Sequence, residues 1–351
     1  MTPRNALRIL LTLALALAAA QLCAWLRIPL PWMIGPLLAT AIASVRGVPT
    51  QSWGPLRNLG QWTIGVALGL YFTPEVTALV AVLWWAIALA IAWALGLGWT
   101  FGRWLHPQAL AACGGTPQAQ RATSYFAGAI GGASEMTLLA ERAGARTDLV
   151  AAAHSLRLLI VTVTVPVAFA AIGVQPIDGT VPGARQFDSG GLALLAAATG
   201  AGALLMQRAG RANPWFMGAL LVAIGLTMAG IELSSIPQPM TNAAQLLIGV
   251  SLGVRFRAEF VHTAPRWLVS VAVGTVVMIV ACAAFAVLLT LATGLPIPTL
   301  ILGTSPGGIA EMAITAKVLQ LGVPVVTAFQ VCRLVAVLIL VEPLYRWYGR
   351  S

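Results

Sequence analysis

The sequence predicts an all-α, polytopic membrane protein of about ten transmembrane helices, arranged as two inverted repeats that each contain a broken or re-entrant helix. Three observations carry this reading. Hydrophobic residues make up 59 % of the 351 positions and charged residues 9 %, against roughly 25 % charged in soluble domains. Apolar runs of about 20 residues, long enough to cross a bilayer, recur along the chain. Finally, Gly131-Gly132-Ala133-Ser134-Glu135-Met136 returns 176 residues later as Gly307-Gly308-Ile309-Ala310-Glu311-Met312. In both copies an arginine, Arg157 or Arg333, follows the glutamate by 22 residues inside an otherwise apolar run. Residues 131–165 and 307–341 share 11 identities in 35 positions without a gap, the mark of a duplication.

Taken in order, residues 1–26 resemble a secretory signal, with Arg4 and Arg8 ahead of an apolar core and Ala18-Ala19-Ala20 as a cleavage-like site. The corresponding segment of the second half, 192–206, is internal, so 7–26 reads as a retained first helix. Pro29-Leu30-Pro31-Trp32-Met33-Ile34-Gly35-Pro36 opens a short apolar element ending near Arg46. In the next, over 57–72, Asn58, Gln61, Gly65 and Gly69 fall on one helical face. Small residues four apart let helices approach closely in lipid, so the two glycines read as packing positions. A Trp-rich span covers 75–102, and 103–121 reads as a polar connection with Pro107, Gly114-Gly115 and Pro117. After the Gly-Gly-Glu segment comes a span over 149–174 that holds His154 and Arg157. The linker 176–190 then divides the chain into a first membrane repeat, 1–175, and a second, 191–351.

The second half replays the first. Asn213-Pro214-Trp215-Phe216-Met217-Gly218 matches 30–35, and Asn242, Gln245, Gly249 and Gly253 match Asn58, Gln61, Gly65 and Gly69 at an offset of 184. A long span over 266–292, the second Gly-Gly-Glu within 296–317 and a last span over 324–343 complete it. Loop charge orients the copies. With Arg4 and Arg8 inside, Arg46, Arg57 and the 103–121 connection also fall inside. An odd number of crossings per half then keeps Arg208, Arg211, Arg255, Arg257 and Arg266 inside, as the positive-inside bias requires, and places Arg346 and Arg350 there too. The repeats are therefore expected to be inverted and both termini cytoplasmic. Each half shows six apolar elements, so one in each is not an ordinary crossing; Gly131-Gly132 and Ser305-Pro306-Gly307-Gly308 mark it as the interrupted one.

Irregular backbone at membrane depth is tolerated only where protein or a wet cavity surrounds it. Paired halves with interrupted, polar helices are the pattern of secondary transporters, whose sites lie near the midplane at the repeat interface. Half-helix N-termini suit a carboxylate or another anion. Gly131, Gly132, Gly307 and Gly308 supply the breaks. Glu135 and Glu311 are candidate proton carriers. Arg157 and Arg333 read as their static ion-pair partners, as modulators of their charge, or as direct ligands of an anionic solute. Asn58, Gln61, Asn242 and Gln245 offer amide oxygens and N–H groups to a solute or Na⁺, or else bond between helices; Ser134, Thr304 and Ser305 are weaker candidates. His154 aligns with Gln330, one turn before the arginine, and reads first as a satisfied helix polar group.

Other classes are disfavoured. The formal charge of +10 is scattered in ones and twos and forms no stripe for nucleic acid. His106, His154 and His262 lie far apart, and Cys23, Cys113, Cys282 and Cys332 form no CxxC, so no metal site or cofactor is indicated. Neither a P-loop nor a GxSxG is present, and no enzymatic activity is expected.

On the strength of Leu30-Pro31-Trp32-Met33-Ile34-Gly35-Pro36 and the two Gly-Gly-x-x-Glu-Met motifs with their trailing arginines, the chain resembles the bacterial AbrB family of integral membrane proteins over nearly its whole length. That family is also labelled putative ammonia monooxygenase or regulator of aidB expression. The resemblance implies the inverted-repeat folds of the cation/proton antiporter and anion transporter superfamily. The sequence reading is thus a bacterial inner-membrane secondary transporter of a small anionic or zwitterionic solute, coupled to H⁺ or Na⁺ by alternating access. The alternative is a membrane-embedded sensor that binds a small molecule and regulates gene expression without transporting it. Gly-rich faces and fold analogy suggest a homodimer.

Overall fold

The structure is a computed structural model that describes residues 3–112, 116–176, 186–256 and 264–348. Among these residues it is helical without strands. The first half supplies α1 (Pro3–Trp25), α2 (Pro31–Val45), α3 (Gly54–Gly69), α4 (Pro74–Val82), α5 (Trp84–Ala112), α6 (Pro117–Gly128), α7 (Ala133–Arg142) and α8 (Thr147–Ile172). The second supplies α9 (Ser189–Arg208), α10 (Pro214–Met228), α11 (Gln238–Gly253), α12 (Pro265–Thr293), α13 (Ile297–Thr304), α14 (Ile309–Leu319) and α15 (Val323–Tyr348). Six of them, α1, α5, α8, α9, α12 and α15, are long and apolar enough to cross a membrane, and α3 with α4, bent by 90°, makes a seventh candidate. This is a polytopic helical membrane protein. The ten elements expected to cross are all helices, but α2, α3, α10 and α11 have only 15 or 16 residues. At 1.5 Å per residue each is shorter than the roughly 30 Å hydrocarbon core.

Helix starts follow local chemistry. Pro31 and Pro214 occupy the first positions of α2 and α10, where a missing N–H costs nothing. A proline disfavours the right-handed helical state in the residue before it. That residue is left-handed in both halves, Leu30 at φ 50° and Asn213 at φ 46°. The duplication has therefore kept an uncommon backbone state at a matched position.

The sequence expectation of a polar connection from Arg103 is corrected in part: α5 runs on to Ala112, through Pro107. Phe101, Leu105 and Ala109, one turn apart along it, are all buried, and that apolar stripe sustains the helix.

The chain forms two compact units, and each draws on both halves of the sequence. One comprises Met1–Val82, Pro166–Arg255 and Ala313–Thr327; the other comprises Leu83–Val165, Phe256–Met312 and Ala328–Ser351. In the first, α2 packs on α11 and α3 on α10, so each half contributes one helix to either pair. The glycines predicted to pack do so. A Cβ on Gly65 would lie 2.5 Å from the Phe216 carbonyl oxygen, and one on Gly249 2.6 Å from that of Met33. The matched Gly35 and Gly218 let α2 approach α1, and α10 approach α9, in the same manner.

In the second unit α5 packs on α6 and α12, and α12 on α13. Phe126, Met136, Trp267 and Met278 lie in its apolar core with the α5 stripe. Both Gly-Gly-x-x-Glu-Met motifs belong to this unit, and each lies at a helix break. α6 ends at Gly128 and α7 starts at Ala133; α13 ends at Thr304 and α14 starts at Ile309. The two four-residue breaks sit at the same place in the repeat.

Candidate functional site

A helix that stops inside an apolar protein leaves its last carbonyl groups without N–H partners. Arg157 and Arg333 answer that need. Nη2 of Arg157 donates to the Ala129 carbonyl at 3.0 Å, and its Nη1 makes longer contacts of 3.5 Å with those of Ala127 and Gly128. Arg333 donates through Nη1 to the Ser305 carbonyl at 2.5 Å and through Nη2 to that of Gly307 at 2.8 Å. Each guanidinium thus caps the C-terminal end of the half-helix before its break, where the backbone carries partial negative charge. The arginines are 2 % and 6 % exposed, so these bonds replace the water they would otherwise bind.

A second side chain, three residues before each arginine, completes the cap. His154 accepts from Nη2 of Arg157 through Nδ1 at 2.8 Å, and its Nε2 reaches the Phe126 carbonyl at 2.8 Å. Gln330 accepts from Nη2 of Arg333 through Oε1 at 2.6 Å, and its Nε2 donates to the carbonyls of Leu302 at 2.6 Å and Ser305 at 3.2 Å. Imidazole and amide do the same work on different chemistry. His154 is the satisfied helix polar group that its alignment with Gln330 suggested.

The hydrogen bonds of both arginines' terminal N–H groups to carbonyls of the break and to a neutral side chain were not among the expected roles. Nε of each arginine is buried and has no hydrogen-bond partner.

The repeated motif acquires a geometric meaning residue by residue. Gly131 and Gly307 leave room for a methionine: a Cβ there would lie 2.8 Å and 2.9 Å from Cε of Met136 and Met312. Those two methionines are fully buried. Gly132 and Gly308 leave room for the acid, since an added Cβ would meet Oε2 of Glu135 and of Glu311. Both carboxylates therefore fold back over the glycine that precedes their own half-helix, in the first turns of α7 and α14. A negative charge is favoured at that end of a helix.

The other predicted residues divide. Ser305 is fully buried, and its hydroxyl donates to the Ile301 carbonyl at 2.6 Å, whereas Ser134 is exposed. Thr304 donates to the Leu300 carbonyl at 2.8 Å. Asn58, Gln61, Asn242 and Gln245 belong to the first compact unit. Gln245 is buried, and Asn242 accepts from Gln238 at 2.9 Å, a bond within one helix. Among the described residues no three His, Cys, Asp or Glu side chains gather as metal ligands.

Sequence reasoning missed the capping carbonyls and the part played by Gln330. The signal for Gln330 was its spacing, because residues three apart on a helix meet on one face.

A family model described as "Transition state regulatory protein AbrB" matches residues 32–349. The chain is 27 % identical to a Bacillus subtilis (strain 168) protein described as "Uncharacterized protein YhjN" over 374 aligned positions, covering 97 % of this chain and 93 % of that one. No solved structure matches it.

Proposed function

The chain belongs to the AbrB family, and from that premise we propose that it is a secondary active transporter of a small anionic or zwitterionic solute, coupled to H⁺ or Na⁺. The observation that carries the reading is the arginine-capped helix break, built twice with the same parts. An unbroken helix would satisfy its own carbonyls and need no buried cation, so the breaks cost stability that continuous helices would keep. Interrupted helices whose half-helix ends face the solute and the coupling ion are what secondary-transport sites use. In this reading Glu135 and Glu311 carry the coupling ion. Arg157 and Arg333 hold the breaks open and contribute positive charge, and the amides of Asn58, Gln61, Asn242 and Gln245 supply polar lining. The protein works without enzymatic chemistry, as a homodimer in the bacterial inner membrane, with inverted repeats and both termini in the cytoplasm.

Proteoliposomes holding a pH-sensitive dye test it. Small carboxylates and amino acids are added one at a time under imposed pH and Na⁺ gradients. At least one is expected to move with H⁺ or Na⁺, and Glu135→Gln with Glu311→Gln is expected to abolish the movement while the protein stays folded. A membrane sensor is the second reading, favoured by the regulatory wording of the family description. Saturable binding without flux under every gradient would select it.

A further inference from the structure

Two cavities of the second unit lie side by side against α5 and α6, and they share Trp99 and Tyr125 as walls. The larger, about 320 Å³, is apolar and is completed by Ile130 of the first break and by Val341, Leu344 and Trp347 of α15. It falls within the roughly 300–1,000 Å³ of small-molecule sites. The smaller, about 160 Å³, holds Arg103, His106, Arg121 and Ser124. Among the described residues no acidic side chain lines either one.

The polar and apolar parts are held in place independently of any ligand. The Arg103 guanidinium lies 5.0 Å from the centroid of the Trp99 ring, a cation–π distance. Nδ1 of His106 is 3.3 Å from Oγ of Ser124, which in turn donates to the Arg121 carbonyl at 3.0 Å. The Tyr125 hydroxyl donates to the Val341 carbonyl at 3.0 Å and so ties α6 to α15 along the wall that the two cavities share. Both arginines are exposed. Trp99 and Trp347 are 42 % and 77 % exposed, as aromatics at the headgroup level of a bilayer are. From Leu95 to Arg103 the helix rises about 12 Å. The apolar cavity and the basic pocket thus follow one another along α5, like the tail and head of a lipid.

We infer that this composite cleft binds an anionic phospholipid, its phosphate against Arg103, Arg121 and His106 and one acyl chain in the apolar cavity. A zwitterionic lipid would bring its phosphate with a cationic group beside it and so add no net negative charge to the two arginines. A small soluble anion would fill the lesser cavity and leave the greater one empty. Basic pockets beside membrane helices on the positively charged side of the protein face a leaflet rich in anionic lipid.

The test uses the purified full-length protein in detergent, with native mass spectrometry of bound phosphatidylglycerol and phosphatidylcholine carrying the same acyl chains. Phosphatidylglycerol is expected to bind at least about tenfold more tightly, as two arginines near an anionic headgroup imply. The double variant R103Q/R121Q is expected to lose that preference. Gly96 is exposed and lines the apolar cavity, and an added Cβ there meets nothing within 4 Å, so Gly96→Leu adds bulk at the rim of that cavity without a backbone clash. This variant is expected to weaken both lipids about equally and keep the headgroup preference, with its melting temperature unchanged. Equal affinity of the wild type for the two lipids would overturn the proposal, as would a preference that survives R103Q/R121Q. Unaltered lipid binding in Gly96→Leu would remove the acyl-chain site. Glycerol 3-phosphate binding as tightly as phosphatidylglycerol would reassign the pocket to a soluble anion.

Discussion

His154 and Arg157 share a hydrogen bond of 2.8 Å from Nη2 to Nδ1, and that bond sets the charge of the imidazole. A guanidinium only donates and a carbonyl only accepts. Nδ1 therefore accepts from Arg157, and Nε2 must carry the hydrogen that meets the Phe126 carbonyl. The ring is neutral, with its proton on Nε2.

Replacement by glutamine should preserve the cap, because Gln330 already performs it in the second half. His154→Gln is expected to melt within a few degrees of the wild type in detergent and to retain solute-dependent flux. His154→Leu leaves the Phe126 carbonyl and one arginine N–H unsatisfied in the interior, a loss of about 1–3 kcal/mol for each such group. Unfolding titrations of the two variants side by side separate these outcomes.

Lysine should not substitute for either arginine. Arg333 spreads two nitrogens over the Ser305 and Gly307 carbonyls and Oε1 of Gln330, an arrangement that suits a planar fork rather than a point charge. Arg333→Lys and Arg157→Lys are each expected to lower stability by about 2–3 kcal/mol, the worth of a charge-assisted bond or two. Hydrogen exchange should rise first at the broken helices, and uniform exchange would argue against a local capping role.

The second glycine of each motif should matter to function more than to folding. A Cβ on Gly132 or Gly308 meets the end of a flexible glutamate side chain, which is free to swing away. Gly132→Ala and Gly308→Ala are expected to fold with near-normal melting temperatures, displace the carboxylates, and reduce ion-coupled flux at least several-fold. Wild-type flux in both variants would separate the carboxylate position from coupling.

The packing glycines should behave in the opposite way. At Gly65 and Gly249 the added atom meets backbone oxygen, which cannot rotate aside. Gly65→Ala and Gly249→Ala are each expected to cost about 1–3 kcal/mol, as overpacking does. Lowered yield and melting temperature, with intact lipid binding at the second unit, are the expected signs.

Much of this arrangement is legible in the amino-acid sequence. The repeated glycines located both helix interruptions, because glycine pairs and Ser305-Pro306 weaken a helix wherever they stand. The small-residue spacing on α3 and α11 announced close helix packing. It did not announce that α3 would meet α10 and α2 would meet α11, since a glycine face accepts any partner that fits. Acid and base at matched positions suggested a salt bridge. That match did not announce the carbonyls that accept from the arginines, since every residue has one and no pattern of side chains points to them.

Amino-acid order was enough to settle membrane residence, the duplication and the sites where helices stop, for these depend on composition and on neighbours a few positions away. Folding in space alone assigned Arg157 and Arg333 to their carbonyls, drew both repeats into each compact unit, and set Trp99 and Tyr125 between an oily cavity and a basic one. Such pairings join atoms far apart along the chain, and their energies arise only when close packing brings those atoms together and excludes solvent.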